Sequence, residues 1–84
     1  MKLPIIKHMV EFVEENDEDW VVEAIELLEH YSEHTALKDD ELEVLGEVLS
    51  NLFGTLEVVK DIKNGTEKKA ALNNFMKRVI GSIK

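Results

Sequence analysis

Apolar residues recur three or four positions apart along four segments of the chain, which is the spacing of an amphipathic helix. A proline suits the first turn of the first segment, because its missing N–H is not needed there. The predicted helices cover approximately residues 4–15, 17–31, 40–63 and 67–80. This pattern predicts one all-α domain over residues 1–84, a small four-helix bundle with a short first helix and a long third helix.

The predicted helix ends rest on polar residues between these segments. Asn16 is expected to cap the second helix and Thr66 the fourth, since both side chains accept hydrogen bonds from free N–H groups. Asn64 and Gly65 are expected to end the third helix, with Gly65 in the left-handed conformation.

The second helix shows an apolar side and an acidic side. Its predicted inward stripe is Val21, Ala24, Ile25, Leu28 and Tyr31, widened by Trp20 and Leu27. Its predicted outward face carries Glu23, Glu26 and Glu29. The inward stripe of the fourth helix is predicted to be Ala71, Leu72, Phe75, Met76, Val79 and Ile83.

The third helix carries more apolar surface than a short neighbour can cover, because it is predicted to be roughly 36 Å long. Its broad apolar face is Leu42, Leu45, Val48, Leu49, Leu52, Phe53, Leu56 and Val59, with Val44, Val58 and Ile62 off that face. The excess predicts a homodimer. The residues expected to form its interface are Leu45, Leu49, Leu52, Phe53 and Leu56.

Small residues lie four apart on the third helix, at Gly46, Ser50 and Gly54. A glycine inside a helix costs about 1 kcal/mol relative to alanine, so a packing gain is expected there. Close approach by another helix is the favoured interpretation. A kink or a frayed segment at Gly54 is the alternative.

Charge is unevenly distributed in this chain of net charge −8. Residues 11–59 carry sixteen Asp or Glu and one Lys, whereas residues 60–84 carry seven Lys or Arg and two acidic residues. The acidic middle would be repelled by nucleic acid and by an anionic membrane, so neither is expected as a partner. A basic protein is the partner that this charge favours, through Glu23, Glu26 and Glu29.

The chain has no cysteine, and its glycines are dispersed, so thiol chemistry and a phosphate-binding loop are not expected. Ser32 and Ser50 have no recognisable activating motif around them. The opening residues lack the apolar run of a secretory signal, and no segment reaches membrane-spanning length. We therefore expect a cytoplasmic, non-enzymatic interaction or regulatory module without a cofactor.

One arrangement predicts different chemistry. Glu26, His30 and His34 follow one another at four-residue intervals near the end of the second helix, which would align a carboxylate and two imidazoles. The alternative function is thus a metal- or small-ligand-binding bundle that uses these three side chains. An unrecognised enzyme is a third alternative, and it would require a pocket with converging titratable groups.

Five strings of the sequence resemble an uncharacterised family of short, acidic bacterial proteins of Bacteroidetes type, a domain of unknown function. They are MKLPIIKH at the start, EENDED, LKDDEL, GEVLSNLFG, and FMKRVIGSI near the end. The resemblance extends over nearly the whole chain and implies a stand-alone cytoplasmic protein. It carries over no catalytic or binding residue.

Overall fold

The computed structural model describes residues 2–83, with the side chains of residues 2–79. Four helices make up this part of the chain: α1 (Leu3–Glu15), α2 (Asp19–Ser32), α3 (Asp39–Lys63) and α4 (Lys68–Ile83). The predicted all-α, bundle-like architecture with a long third helix is confirmed.

Local hydrogen bonds explain where the helices begin and end. At the start of α3 the backbone N–H of Lys38 donates to Glu41 Oε1 at 3.0 Å, and acidic residues fill the first turn. Gly65 follows α3 with a φ of 102°, as predicted for the residue that ends the helix.

The predicted role of Asn16 as the cap of α2 is wrong. Its side-chain amide donates to the carbonyl oxygen of Phe12 at 3.0 Å, so it closes α1 instead. Asp17 Oδ1 accepts the N–H of Asp19, where α2 begins. The prediction erred because one polar residue lies between two helices and can serve either of them.

α3 is the central helix, against which α1, α2 and α4 all pack. The N–H of Lys2 donates to Asn51 Oδ1 at 2.9 Å, and Ile6 lies beside Gly54, so α1 runs in the same direction as α3. α2 returns along α3 from Glu18, which pairs with Lys63 at the C-terminal end of α3.

Among the residues with described side chains, the core consists of two clusters that share Val13. The larger cluster joins α1, α3 and α4, and its buried members are Ile6, Val10, Val58, Val59, Ala71, Leu72 and Phe75. The smaller cluster joins α2 to α3 through Val21, Ile25 and Leu52. Val58 was predicted to lie off the apolar face of α3 but is fully buried, because helices cover α3 on two sides there.

The predicted inward stripe of α4 is largely confirmed. Ala71, Leu72 and Phe75 are buried, and Met76 and Val79 pack against them. Ile83 lies outside the residues whose side chains are described.

Gly54 is a point of close approach, and Gly46 is not. A Cβ at position 54 would lie 2.9 Å from Ile6 Cδ1 and 3.0 Å from Phe75 Cζ. At position 46 a Cβ would meet nothing within 4 Å. The predicted close packing is therefore confirmed at Gly54, where the side chains of Ile6 from α1 and Phe75 from α4 pack against the backbone of α3.

The N-terminal part of α3 extends beyond the core. Among the described residues, the first α3 position that belongs to either cluster is Leu49, so residues 39–48 project past both. The molecule accordingly measures 43 × 34 × 17 Å, and its radius of gyration is 13.7 Å. A compact domain of this length has a radius of gyration of about 12 Å.

Candidate functional site

Exposed apolar side chains gather along α2 and the projecting part of α3. Four of them are more than half exposed: Trp20 (61%), Leu27 (68%), Tyr31 (57%) and Val44 (62%). Phe12 of α1 and Val48 of α3 are also exposed. We call these six residues the aromatic surface.

The aromatic surface draws its residues from three helices. The rings of Phe12 and Trp20 meet edge to face, with 6.4 Å between their centroids. At the other end, Tyr31 and Val44 line one shallow depression. Between these ends, Trp20, Leu27 and Tyr31 fall within roughly 40° of one another around the axis of α2.

This surface exists because α2 has more apolar positions than one neighbouring helix can cover. Val21, Ile25 and Leu28 face α3 and fill its side of the core. Trp20, Leu27 and Tyr31 were predicted to belong to the same inward side, but they lie roughly 100° around the helix from it. They are largely exposed, although Phe12 of α1 contacts Trp20 on that flank of α2.

The predicted dimer interface on α3 is largely used inside the molecule. Leu52 is buried in the smaller cluster, and Leu49 and Leu56 pack against it. Leu45 is half-buried. Of the five predicted residues only Phe53, at 46% exposure, presents a large open side chain. The structure therefore does not gather these five residues on the surface.

The predicted acidic face of α2 is on the surface. Glu23, Glu26 and Glu29, which we call the acidic ridge, are all exposed. Within the described part of the chain, none of these carboxylates forms an ion pair. The ridge is thus open to a partner of opposite charge.

Two other carboxylates hold the basic part of the chain against α1 and α2. Lys63 donates to Glu18, and Lys68 donates to Glu14 at 2.9 Å. The hydrogen bond to Glu18, reinforced by its charge, raises the pKa of Lys63, and the bond to Glu14 raises the pKa of Lys68. These two ion pairs lie at the end of the molecule opposite the projecting part of α3.

The structure does not support the predicted metal site. α2 ends at Ser32, so His34 does not continue the helical spacing of Glu26 and His30. His34 Nδ1 instead accepts the backbone N–H of Ala36 at 3.0 Å. Among residues 2–83, no three His, Cys, Asp or Glu side chains form a group that could hold a metal ion.

In the described part of the chain, no helix has the length and apolar character needed to cross a bilayer. A family model described as a family of unknown function matches residues 1–84. This match confirms the resemblance to an uncharacterised family. Neither a curated protein nor a solved structure matches the chain.

Proposed function

Because the chain belongs to DUF6952, a family of unknown function, we propose a role from its surfaces: it is an interaction module that pairs with a second copy through the aromatic surface. The observation that carries this proposal is the run of exposed side chains from Phe12 and Trp20 along α2 to Tyr31 and Val44.

The area of the chain supports pairing. The protein exposes 6064 Å². A monomer of 9.6 kDa exposes about 5,100 Å². The excess of about 1,000 Å² is similar to the area of about 800 Å² that each partner buries in a standard interface. Pairing would therefore give this chain the exposed area per mass of an ordinary folded protein.

The composition of the aromatic surface also supports an interface. Tryptophan, tyrosine and phenylalanine are enriched at the centres of protein interfaces, where they bury a large area for few rotatable bonds. Trp20, Tyr31 and Phe12 provide one of each. A two-fold dimer uses the same patch on both copies, so one patch per copy is sufficient to form the interface.

Sedimentation of the wild type and two variants tests this proposal. We expect a dimer at micromolar concentration for the wild type and a monomer for Leu27→Gln, because an amide would be placed in the middle of the apolar contact. Val22→Gln is the matched control, since Val22 is an exposed apolar residue on a different side of α2. A monomeric wild type, or equal loss of the dimer in both variants, would overturn the proposal.

We further propose that the acidic ridge recruits a basic protein. Its support is the exposure of Glu23, Glu26 and Glu29, which have no ion pairs among the described residues. Complementary charge speeds encounter and selects partners, and such binding weakens as salt is added. Glu26 and Glu29 lie about 100° or more around α2 from Trp20, Leu27 and Tyr31, whereas Glu23 lies within about 60° of Trp20 and Leu27, at the edge of the aromatic surface.

The ridge is tested by changing Glu23, Glu26 and Glu29 to Gln and repeating an affinity purification. The control changes three exposed carboxylates of α3, Glu43, Glu47 and Glu57, to Gln, which alters the net charge equally. We expect one basic protein to be retained by the wild type and the control and lost from the ridge variant. Retention by all three proteins would reject the ridge as its binding site.

The proposed role is binding and not catalysis. The depression that contains His30 and His34 also contains Tyr31 and Glu41. His34 Nδ1 accepts a hydrogen bond from the backbone N–H of Ala36, and this bond stabilises the turn that follows α2. We assign His34 a structural role.

A further inference from the structure

Another depression lies on the flank of α1 opposite the aromatic surface. It is a cleft of about 690 Å³ between α1 and the start of α4. Lys7 of α1 lines it, whereas Phe12, the α1 member of the aromatic surface, lies about 140° away around the helix. The cleft and the aromatic surface are therefore separate.

The floor of the cleft is hydrocarbon. Leu3, Pro4 and Leu72 line it. Leu72 belongs to the larger core cluster and Leu3 packs against that cluster, so the core holds the floor in place. Small-molecule sites have this character: an apolar lining of several hundred Å³ with a few polar groups that orient the ligand.

The rim of the cleft is basic, although the protein as a whole is acidic. Lys7, Lys68 and Lys69 line it, with Glu67 as its acidic member. Lys68 is bonded to Glu14. Lys7 and Lys69 are exposed and form no ion pair with any described residue. Two ammonium groups are thus available beside an apolar floor.

We propose that this cleft binds an amphiphilic carboxylate, a small molecule with an alkyl chain and a carboxylate head. The alkyl chain lies on Leu3, Pro4 and Leu72, and the carboxylate is held by Lys7 and Lys69. An ammonium group forms charge-assisted hydrogen bonds with a carboxylate, which are stronger than neutral ones. The acidic surroundings of α2 and the start of α3 disfavour the same ligand at the aromatic surface.

Decanoate, used below its micelle concentration, is the probe for this site. We expect saturable binding by calorimetry, with NMR shifts at Leu3 and Leu72 and little change in Trp20 fluorescence. Decyltrimethylammonium, which has a similar chain and a positive head, should not bind in the cleft. Binding that depends only on the alkyl chain would contradict the assignment.

Charge reversal on the rim tests the two lysines. The double variant Lys7→Glu, Lys69→Glu should bind decanoate at least about tenfold more weakly, because two charge-assisted contacts become repulsive. Lys77→Glu, on an exposed lysine of α4 that does not line the cleft, should bind it as the wild type does.

Three results would overturn the proposal: no saturable binding, equal binding by all variants, or a response centred on Trp20. NMR shifts at Lys7 and Lys69 that increase with protein concentration in the absence of decanoate would show that an acidic segment of a second copy occupies the cleft. This test does not depend on the proposed dimer, since the Leu27→Gln variant keeps the cleft intact and can be titrated in the same way.

Discussion

Gly46 and Gly54 show how two identical residues on one helix differ in what surrounds them. Gly54 is buried between Ile6 and Phe75, whereas Gly46 faces open space. The sequence predicted close packing from their spacing with Ser50. It could not separate the two glycines, because the covering side chains come from α1 and α4 and are distant in sequence.

Alanine at these two positions should have opposite effects on stability. Gly46→Ala should raise the free energy of unfolding by up to about 1 kcal/mol, since it removes the helix penalty of glycine without a clash. Gly54→Ala should lower it by about 1 kcal/mol, because the added methyl overpacks the contact with Ile6 and Phe75. Urea unfolding of both variants measures the difference, and a gain at both positions would contradict the close contact at Gly54.

Asn51 is a second residue whose role depends on a distant part of the chain. It is nearly buried, and its Oδ1 accepts the N–H of Lys2 at the start of α1. The helical pattern of α3 gave no reason to single it out, since its partner is forty-nine residues away in the sequence.

Asn51→Ala should lower the free energy of unfolding by about 1 to 2 kcal/mol, because one buried acceptor and its packing are lost. Hydrogen exchange should also accelerate at the first residues of α1. Unchanged exchange there, with unchanged stability, would show that the hydrogen bond does not hold α1 in place.

At the scale of the helices, the sequence predicted their number and order, and their boundaries to within about three residues. Turn residues and helical spacing are local signals, so they were sufficient for this purpose even though Asn16 does not cap α2. The side of each helix that is covered depends on its neighbours. For that reason two predictions are wrong: Val58 is buried and not off the apolar face, and Trp20, Leu27 and Tyr31 are exposed and not inward.

The ion pairs Lys63–Glu18 and Lys68–Glu14 connect the end of α3 and the start of α4 to α1 and to the residue before α2. Both lysine pKa values are raised above 10.5, chiefly by these hydrogen bonds. The pairs therefore contribute their full stabilisation below pH 10.5, and the contribution is lost as the pH rises through the raised values.

A double variant, Lys63→Met with Lys68→Met, tests this pH dependence. It should be slightly less stable than the wild type at neutral pH, and the difference should disappear once the pH exceeds the raised lysine pKa values, where the wild-type lysines also lose their charge. Chemical unfolding of both proteins at the two pH values gives the comparison. A difference that persists at high pH would indicate that packing by the lysine side chains, and not their charge, is responsible.

At the scale of the whole molecule, the central α3 is longer than the helices that pack against it. The molecule is therefore elongated and exposes the aromatic surface. The sequence predicted the excess of apolar area correctly, because the length of the third helix could be read from its pattern. The interface residues expected on α3 stay a prediction, although Leu49, Leu52 and Leu56 already pack against α2 within one copy. The acidic ridge was predicted in full, since charged residues on a helix face outward whichever neighbour packs behind them.

Salt should act in opposite directions on the two proposed interactions. Each copy carries a net charge of −8, so added salt should strengthen self-association by screening repulsion between copies. Binding of a basic partner to the acidic ridge should weaken under the same conditions. Sedimentation and affinity measurements at low and high salt test the pair of predictions, and a dimer that dissociates at high salt would argue for a contact held by charge.

The most direct test of the central proposal uses Trp20, the only tryptophan in the chain and a member of the aromatic surface. Acrylamide quenching of its fluorescence is measured from nanomolar to micromolar protein concentration, with the Leu27→Gln variant alongside. If two copies pair through this surface, quenching of the wild type decreases as the concentration rises, while that of the variant stays high. Strong quenching of the wild type at every concentration would contradict the account.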